Sequence, residues 1–124
     1  MAYNILVVDD SPIMRQVIKK TVRVSGADIG EIYEANNGLE GLEQARSNWI
    51  DLILTDINMP VMNGVEFIRN LKTDDELKSI PVMVISTEGR DEVVQEAMEL
   101  GAVDYITKPF RPEEIGEDIV RILG

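Results

Sequence analysis

Five short apolar runs punctuate the chain, and between them apolar residues recur at helical spacing. The runs are Ile5-Leu6-Val7-Val8, the alternating 31–35 segment around Ile32 and Tyr33, Leu52-Ile53-Leu54-Thr55, Val82-Met83-Val84-Ile85, and 103–107. Unbroken apolar runs bounded by polar residues read as strands buried on both faces of a parallel sheet. Five helices are expected between and after them. Their inward faces are Met14, Val17, Ile18, Thr21 and Val22; Leu39, Leu42 and Ala45; Ile68 and Leu71; Val94, Ala97 and Met98; and Ile115, Ile119, Ile122 and Leu123. Ser11-Pro12 supplies an N-cap and a first-turn proline. Gly26 and Gly101 lie just past helix ends, Asn36-Asn37-Gly38 is a turn signal, and the polar 73–79 stretch reads as a surface loop. Strands alternating with helices predict an α/β fold, a doubly wound five-stranded parallel sheet in one domain over 1–124.

Composition narrows the chemistry. The 124 residues are 44% hydrophobic, enough for a packed core. The chain has no cysteine and no histidine. Disulfides and thiolate chemistry are therefore out, and any site runs on carboxylates, hydroxyls and lysine. The net charge of −11 argues against nucleic acid or an anionic membrane as a partner. No signal peptide is legible and no apolar run reaches membrane-spanning length, so a cytoplasmic protein is expected.

Right-handed crossovers place all strand carboxyl ends on one edge of the sheet, and there the polar residues converge. The first strand ends on Asp9 and Asp10, the third on Asp56, the fourth on Ser86 and Thr87, and the fifth on Lys108. Crowded carboxylates stay ionised only beside a cation. With hard oxygen ligands alone on offer, that cation is expected to be Mg²⁺. A metal, a lysine and a hydroxyl around one carboxylate suit phosphoryl transfer, with Asp56 as the nucleophile that becomes an aspartyl-phosphate. Separately, the first helix carries only basic charges, Arg15, Lys19, Lys20 and Arg23. They are either a solvated face or a docking face for an acidic partner helix.

The sequence resembles a response-regulator receiver domain of the single-domain, CheY-like chemotaxis type. The resemblance rests on Val7-Val8-Asp9-Asp10-Ser11, Asp56-Ile57-Asn58-Met59-Pro60-Val61-Met62-Asn63-Gly64, Val84-Ile85-Ser86-Thr87-Glu88, Gly101-Ala102-Val103-Asp104-Tyr105-Ile106 and Lys108-Pro109-Phe110. It implies the flavodoxin-like strand order 2-1-3-4-5. It implies that Asp56 accepts a phosphoryl group from a CheA-like histidine kinase, and that Mg²⁺ is held by Asp9, Asp10, Asp56 and the Asn58 carbonyl. Ser86, Lys108 and the backbone N–H groups of Ile57, Asn58 and Thr87 would hold the phosphoryl oxygens. Ser86 and Tyr105 would form the switch, Asn58 and Glu88 would modulate dephosphorylation, and the Lys108-Pro109 bond would be cis.

The resemblance further implies a signalling protein that catalyses only its own phosphorylation and dephosphorylation. It would act as a monomer. Its partners would be the kinase, a protein target such as the flagellar motor switch, and a phosphatase. The output face would be helix four, strand five and helix five, where residues 88–124 carry ten acids and four bases. The competing readings are a phosphorelay intermediate serving a histidine phosphotransfer protein, an aspartate-nucleophile phosphatase, and a flavodoxin-like electron carrier. Met59 and Met62 read as packing residues. Trp49 precedes the third strand, and about seven residues of strand span roughly 23 Å, so it is expected at the sheet edge opposite Asp56.

Overall fold

A computed structural model describes residues 2–124. Ten elements alternate along the chain: β1 (Tyr3–Val8), α1 (Pro12–Arg23), β2 (Ile29–Ala35), α2 (Gly38–Ser47), β3 (Leu52–Thr55), α3 (Gly64–Lys72), β4 (Val82–Ser86), α4 (Asp91–Glu99), β5 (Asp104–Thr107) and α5 (Pro112–Leu123). Every strand pair is parallel and the order is β2-β1-β3-β4-β5. The α/β class, the strand order and the five helices match the expectation. β1 lies between β2 and β3, so the winding direction reverses there. The crevice at the carboxyl ends of β1 and β3 is where such sheets take ligands.

The apolar runs are continuous because both sheet faces are covered. Ile5, Val7, Leu52, Leu54, Met83 and Ile85 pack against Ile18 and Val22 of α1 and Ile115 and Ile119 of α5. Their strand neighbours Leu6, Val8, Ile53 and Val84 pack against Leu42, Phe67, Ile68 and Ala97 of α2, α3 and α4. Ser11 caps α1, its hydroxyl accepting from the Met14 N–H at 3.2 Å, with Pro12 in the first turn.

Four sequence expectations need correction. Val17, Leu39 and Met98 are 42%, 44% and 41% exposed rather than inward. On α2 the buried face is made of Gly38, Gly41, Leu42 and Ala45. A Cβ on Gly41 would lie 2.9 Å from the Phe67 ring, so small residues there let α3 approach where a leucine would not fit. On α1, Ile18, Thr21 and Val22 face inward and Val17 turns away from them. On α4, Ala97 alone is buried. The 73–79 loop is not wholly at the surface, because Leu77 plugs into the α2/α3 core. Met59 and Met62 do pack, as expected, against that core.

Trp49 sits where the sequence placed it. Its indole N–H donates to Asp51, and Asn4 bonds to both Trp49 and Asp51 at the amino ends of β1 and β3.

Candidate functional site

The backbone ladder delivers the carboxylates to the crevice. The Asp9 N–H bonds to the Ala35 carbonyl, and the Asp56 N–H bonds to the Val8 carbonyl at 2.9 Å. Each acid is therefore fixed one step beyond a fully paired strand. Asp9 is 1% exposed, Asp56 is 8% exposed, and Asp10 lies open at the rim. Oxygens of all three carboxylates lie within 4.8 Å of one another.

Each oxygen of Asp9 and Asp56 has a defined neighbour. Asp9 Oδ1 accepts from the Ser11 N–H at 2.9 Å, and Asp56 Oδ1 accepts from the Ile57 N–H at 2.7 Å. Lys108, brought in from the end of β5 beyond a cis Lys108-Pro109 bond's amino side, donates to both remaining oxygens. Its Nζ is 3.0 Å from Asp9 Oδ2 and 3.4 Å from Asp56 Oδ2. Among the described residues, no buried side-chain nitrogen or oxygen is left without a partner.

The electrostatics are nonetheless unbalanced. Three carboxylates and one ammonium leave two negative charges over. Like charges about 4 Å apart repel by roughly 4 kcal/mol at a protein-surface dielectric. Burial pushes the Asp9 carboxyl above its ordinary range. The Ser11 N–H and Lys108 offset this in part, and the Asp56 charge adds to it. The donor set consists of hard oxygens with one ligand open to water. That set fits Mg²⁺, which keeps much of its hydration shell and takes few protein ligands.

The remaining sequence-predicted residues form a second group beside the first. Ser86 is fully buried and its hydroxyl accepts from the Glu88 N–H at 3.1 Å. The Tyr105 hydroxyl donates to the Glu88 carbonyl. Burial, then the Glu88 and Asp56 charges, push the Tyr105 phenol up to about 12, so it stays a donor at any physiological pH. The backbone of residue 88 thus joins Ser86 to Tyr105. Ile57 is buried, whereas Asn58 and Thr87 are exposed at the rim. A groove of about 380 Å³ runs past Ile57, Asn58, Glu66, Glu88 and Arg90.

Three contributors were not legible as parts of the site. Gly64 packs directly on the acceptor segment: its N–H bonds to the Ile57 carbonyl, and a Cβ there would lie 2.2 Å from the Asp56 carbonyl oxygen. Arg15 donates to the Asp9 backbone carbonyl at 2.7 Å while pairing with Glu34 and Asn36. Lys19 also pairs with Glu34, and Arg23 bonds to the Gly30 carbonyl. Arg15, Lys19 and Arg23 each thus have a hydrogen-bond partner within the fold, Glu34 being the carboxylate that Arg15 and Lys19 share. Arg90 grips the Glu88 carboxylate. For Arg15 no sequence signal existed, because Glu34 in β2 and Asn36 just after it are distant in the chain. For Arg90 the signal was an arginine at a helix N-cap position.

Residues 5–120 match the family described as the response regulator receiver domain. The chain is 38% identical over 122 residues to the chemotaxis protein CheY1 of Helicobacter pylori, covering 98% of this chain and 97% of the relative. It superposes on the chemotaxis protein CheY4 of Vibrio cholerae with a TM-score of 0.87 at 34% identity, covering 99% and 100% of the two chains. It superposes equally, with a TM-score of 0.87 at 31% identity, on the signal receiver domain of a signal transduction histidine kinase from Syntrophus aciditrophicus, covering 98% and 90%.

Proposed function

This chain belongs to the response-regulator receiver domain family, and on that premise we propose that it is a two-component signalling protein phosphorylated on Asp56. The observation that carries the reading is the group at the winding reversal. Lys108 bridges Asp9 and Asp56, while Asp10 stands open beside them.

In the proposed reaction an Asp56 carboxylate oxygen attacks the phosphorus of a phosphohistidine on a histidine kinase. A new P–O bond forms, the P–N bond breaks, and the imidazole leaves with the electron pair and takes up a proton. The Ile57 N–H fixes one Asp56 oxygen, which leaves the other to face the incoming phosphorus. Lys108, already at the mouth, exchanges a carboxylate for a phosphoryl oxygen. Asp9, Asp10, Asp56 and the Asn58 carbonyl would hold Mg²⁺, which neutralises charge on the transferring phosphoryl group when bound. The N–H groups of Asn58 and Thr87 and the Ser86 hydroxyl supply further donors, and the Ile57 N–H joins them where it turns from Asp56 Oδ1 to a phosphoryl oxygen. Asn58 and Glu88 flank the path of the hydrolytic water.

The new phosphoryl oxygens draw Ser86 away from the Glu88 N–H. This loosens the 86–88 turn on which the Tyr105 hydroxyl rests, and the face formed by α4, β5 and α5 shifts with it. The target of that face is a chemotaxis output such as the flagellar motor switch. This assignment is supported by likeness to the chemotaxis proteins above.

Incubation with acetyl phosphate and Mg²⁺ followed by rapid quench and intact mass tests the reading. Wild type should gain one phosphate, and Asp56→Asn or a metal-chelated sample should gain none. Phosphate on the Asp56→Asn variant would refute it.

A further inference from the structure

Residue 90 breaks a local rule. It is the N-cap of α4, where Ser, Thr, Asp or Asn normally accepts from the first free N–H groups. Arg90 accepts nothing there with its side chain, and it sets a positive charge at the positive end of the helix dipole. An arginine there leaves the helix without a side-chain cap, and departures from local rules tend to mark functional positions. What the side chain does instead is visible. Its Nε and Nη2 donate to the two oxygens of Glu88 at 3.0 and 2.9 Å, and its backbone N–H donates to Glu88 Oε2 at 3.1 Å. Three donors from one residue lay the carboxylate back along the β4–α4 turn. The Arg90 side chain is 68% exposed and shields a Glu88 side chain that is only 12% exposed.

Glu88 is a sensitive place for such a clasp. Its N–H reaches Ser86 and its carbonyl takes the Tyr105 hydroxyl. Residues 88 and 90 border the groove that also runs past Ile57 and Asn58, the two residues after the acceptor. A free Glu88 carboxylate could turn into that groove, toward a pocket that already carries excess negative charge. There it would oppose the approach of an anionic phosphodonor. The Arg90 fork disfavours that rotamer, biasing the carboxylate toward the β4–α4 turn.

We propose that Arg90 is a positioning residue for phosphorylation, holding the Glu88 carboxylate out of the phosphodonor's path. The proposal rests on the assignment of Asp56 as the acceptor.

The test measures rates of phosphate incorporation from acetyl phosphate with Mg²⁺, by intact mass after rapid quench. Wild type, Arg90→Ala, Glu88→Ala and the double variant are compared in about 0.1 M KCl, where charges about 10 Å apart still act on one another. Loss of direct attraction of the donor by the Arg90 charge would slow both backgrounds alike. Arg90→Ala should react about three- to tenfold more slowly than wild type, with little change in melting temperature. The double variant should match Glu88→Ala, because nothing remains for Arg90 to hold. An Arg90→Ala rate equal to wild type would overturn the proposal, as would an equal slowing in both backgrounds. Wild type that takes up no phosphate would instead overturn the Asp56 assignment, and this inference with it.

Discussion

At the ends of β1 and β3 the chain holds its charged groups on a frame with almost no exposed surface. At α4 and β5 it holds Glu88 and Tyr105, the groups of the proposed switch, beside a frame with little buried. Ile5 through Val8 and Leu52 through Thr55 are at most 1% exposed, and Asp9 and Asp56 follow directly on them. α4 buries Ala97 alone, and Met98 and Val103 nearby are each 41% exposed. Crowded carboxylates need a scaffold that does not yield to their repulsion, and close packing on both sheet faces supplies it. In the proposed switch, a face that shifts when a phosphoryl group arrives needs few contacts to break, and low-stability segments are where switching elements lie.

Two glycines give this contrast its sharpest test. Gly64 lies on the rigid side with the Asp56 carbonyl in the space its Cβ would need, whereas a Cβ on Gly89 would meet only the Thr107 methyl at 3.4 Å. Gly64→Ala should cost about 2 kcal/mol or more in urea melts and slow phosphorylation by displacing Asp56. Gly89→Ala should stay within about 0.5 kcal/mol. Equal costs would mean that the two regions are equally packed.

Strain sits in the exposed loop that leads from the rigid side to α3. Val61, in the loop between β3 and α3, has φ of 69°, a left-handed conformation that a β-branched residue adopts only at a cost. Val61→Gly should therefore stabilise the fold by up to about 1 kcal/mol despite the extra freedom glycine gives the unfolded chain. A loss of stability would show that the surrounding loop, and not residue 61, carries the strain.

A smaller effect separates the buffered support of Asp9 from the exposed edge. Burial pushes the Glu34 carboxyl up, but hydrogen bonds from Lys19 and Arg15 outweigh that and hold it below its ordinary value. A lowered folded pKa stabilises the protein above the ordinary carboxylate range of about 4.5, and this is lost as pH falls through the folded value. Wild type should accordingly lose more stability than Glu34→Gln between pH 7 and pH 3, by about 1 kcal/mol or less, since the pair is partly open to solvent. Parallel pH profiles would remove Glu34 from the support of Arg15 and Asp9.

The smallest expected signal comes from Trp49. It lies at the amino ends of the strands, where Asn4 and Asp51 hold it. Its emission should hardly change on adding Mg²⁺ or acetyl phosphate. Strong quenching would show that the packed frame transmits the event from one sheet edge to the other.

The sequence by itself determined the sheet, its helices and the carboxylate–lysine group. Those follow from local signals: apolar runs, caps such as Ser11-Pro12, and polar residues stationed where right-handed crossovers bring strand ends together. It erred on Val17, Leu39, Met98 and Leu77, because helical spacing names a stripe without saying how much of it a neighbour covers. Gly41 sets how near Phe67 of α3 comes to α2, which the helical spacing of Leu39, Leu42 and Ala45 does not reveal. Tertiary structure alone decided that Arg15 supports Asp9, that Gly64 makes room for the Asp56 carbonyl, and that Glu88 links Ser86 to Tyr105. Each of these depends on groups from separate elements meeting at a distance that packing sets, and no pattern along a single chain encodes that distance.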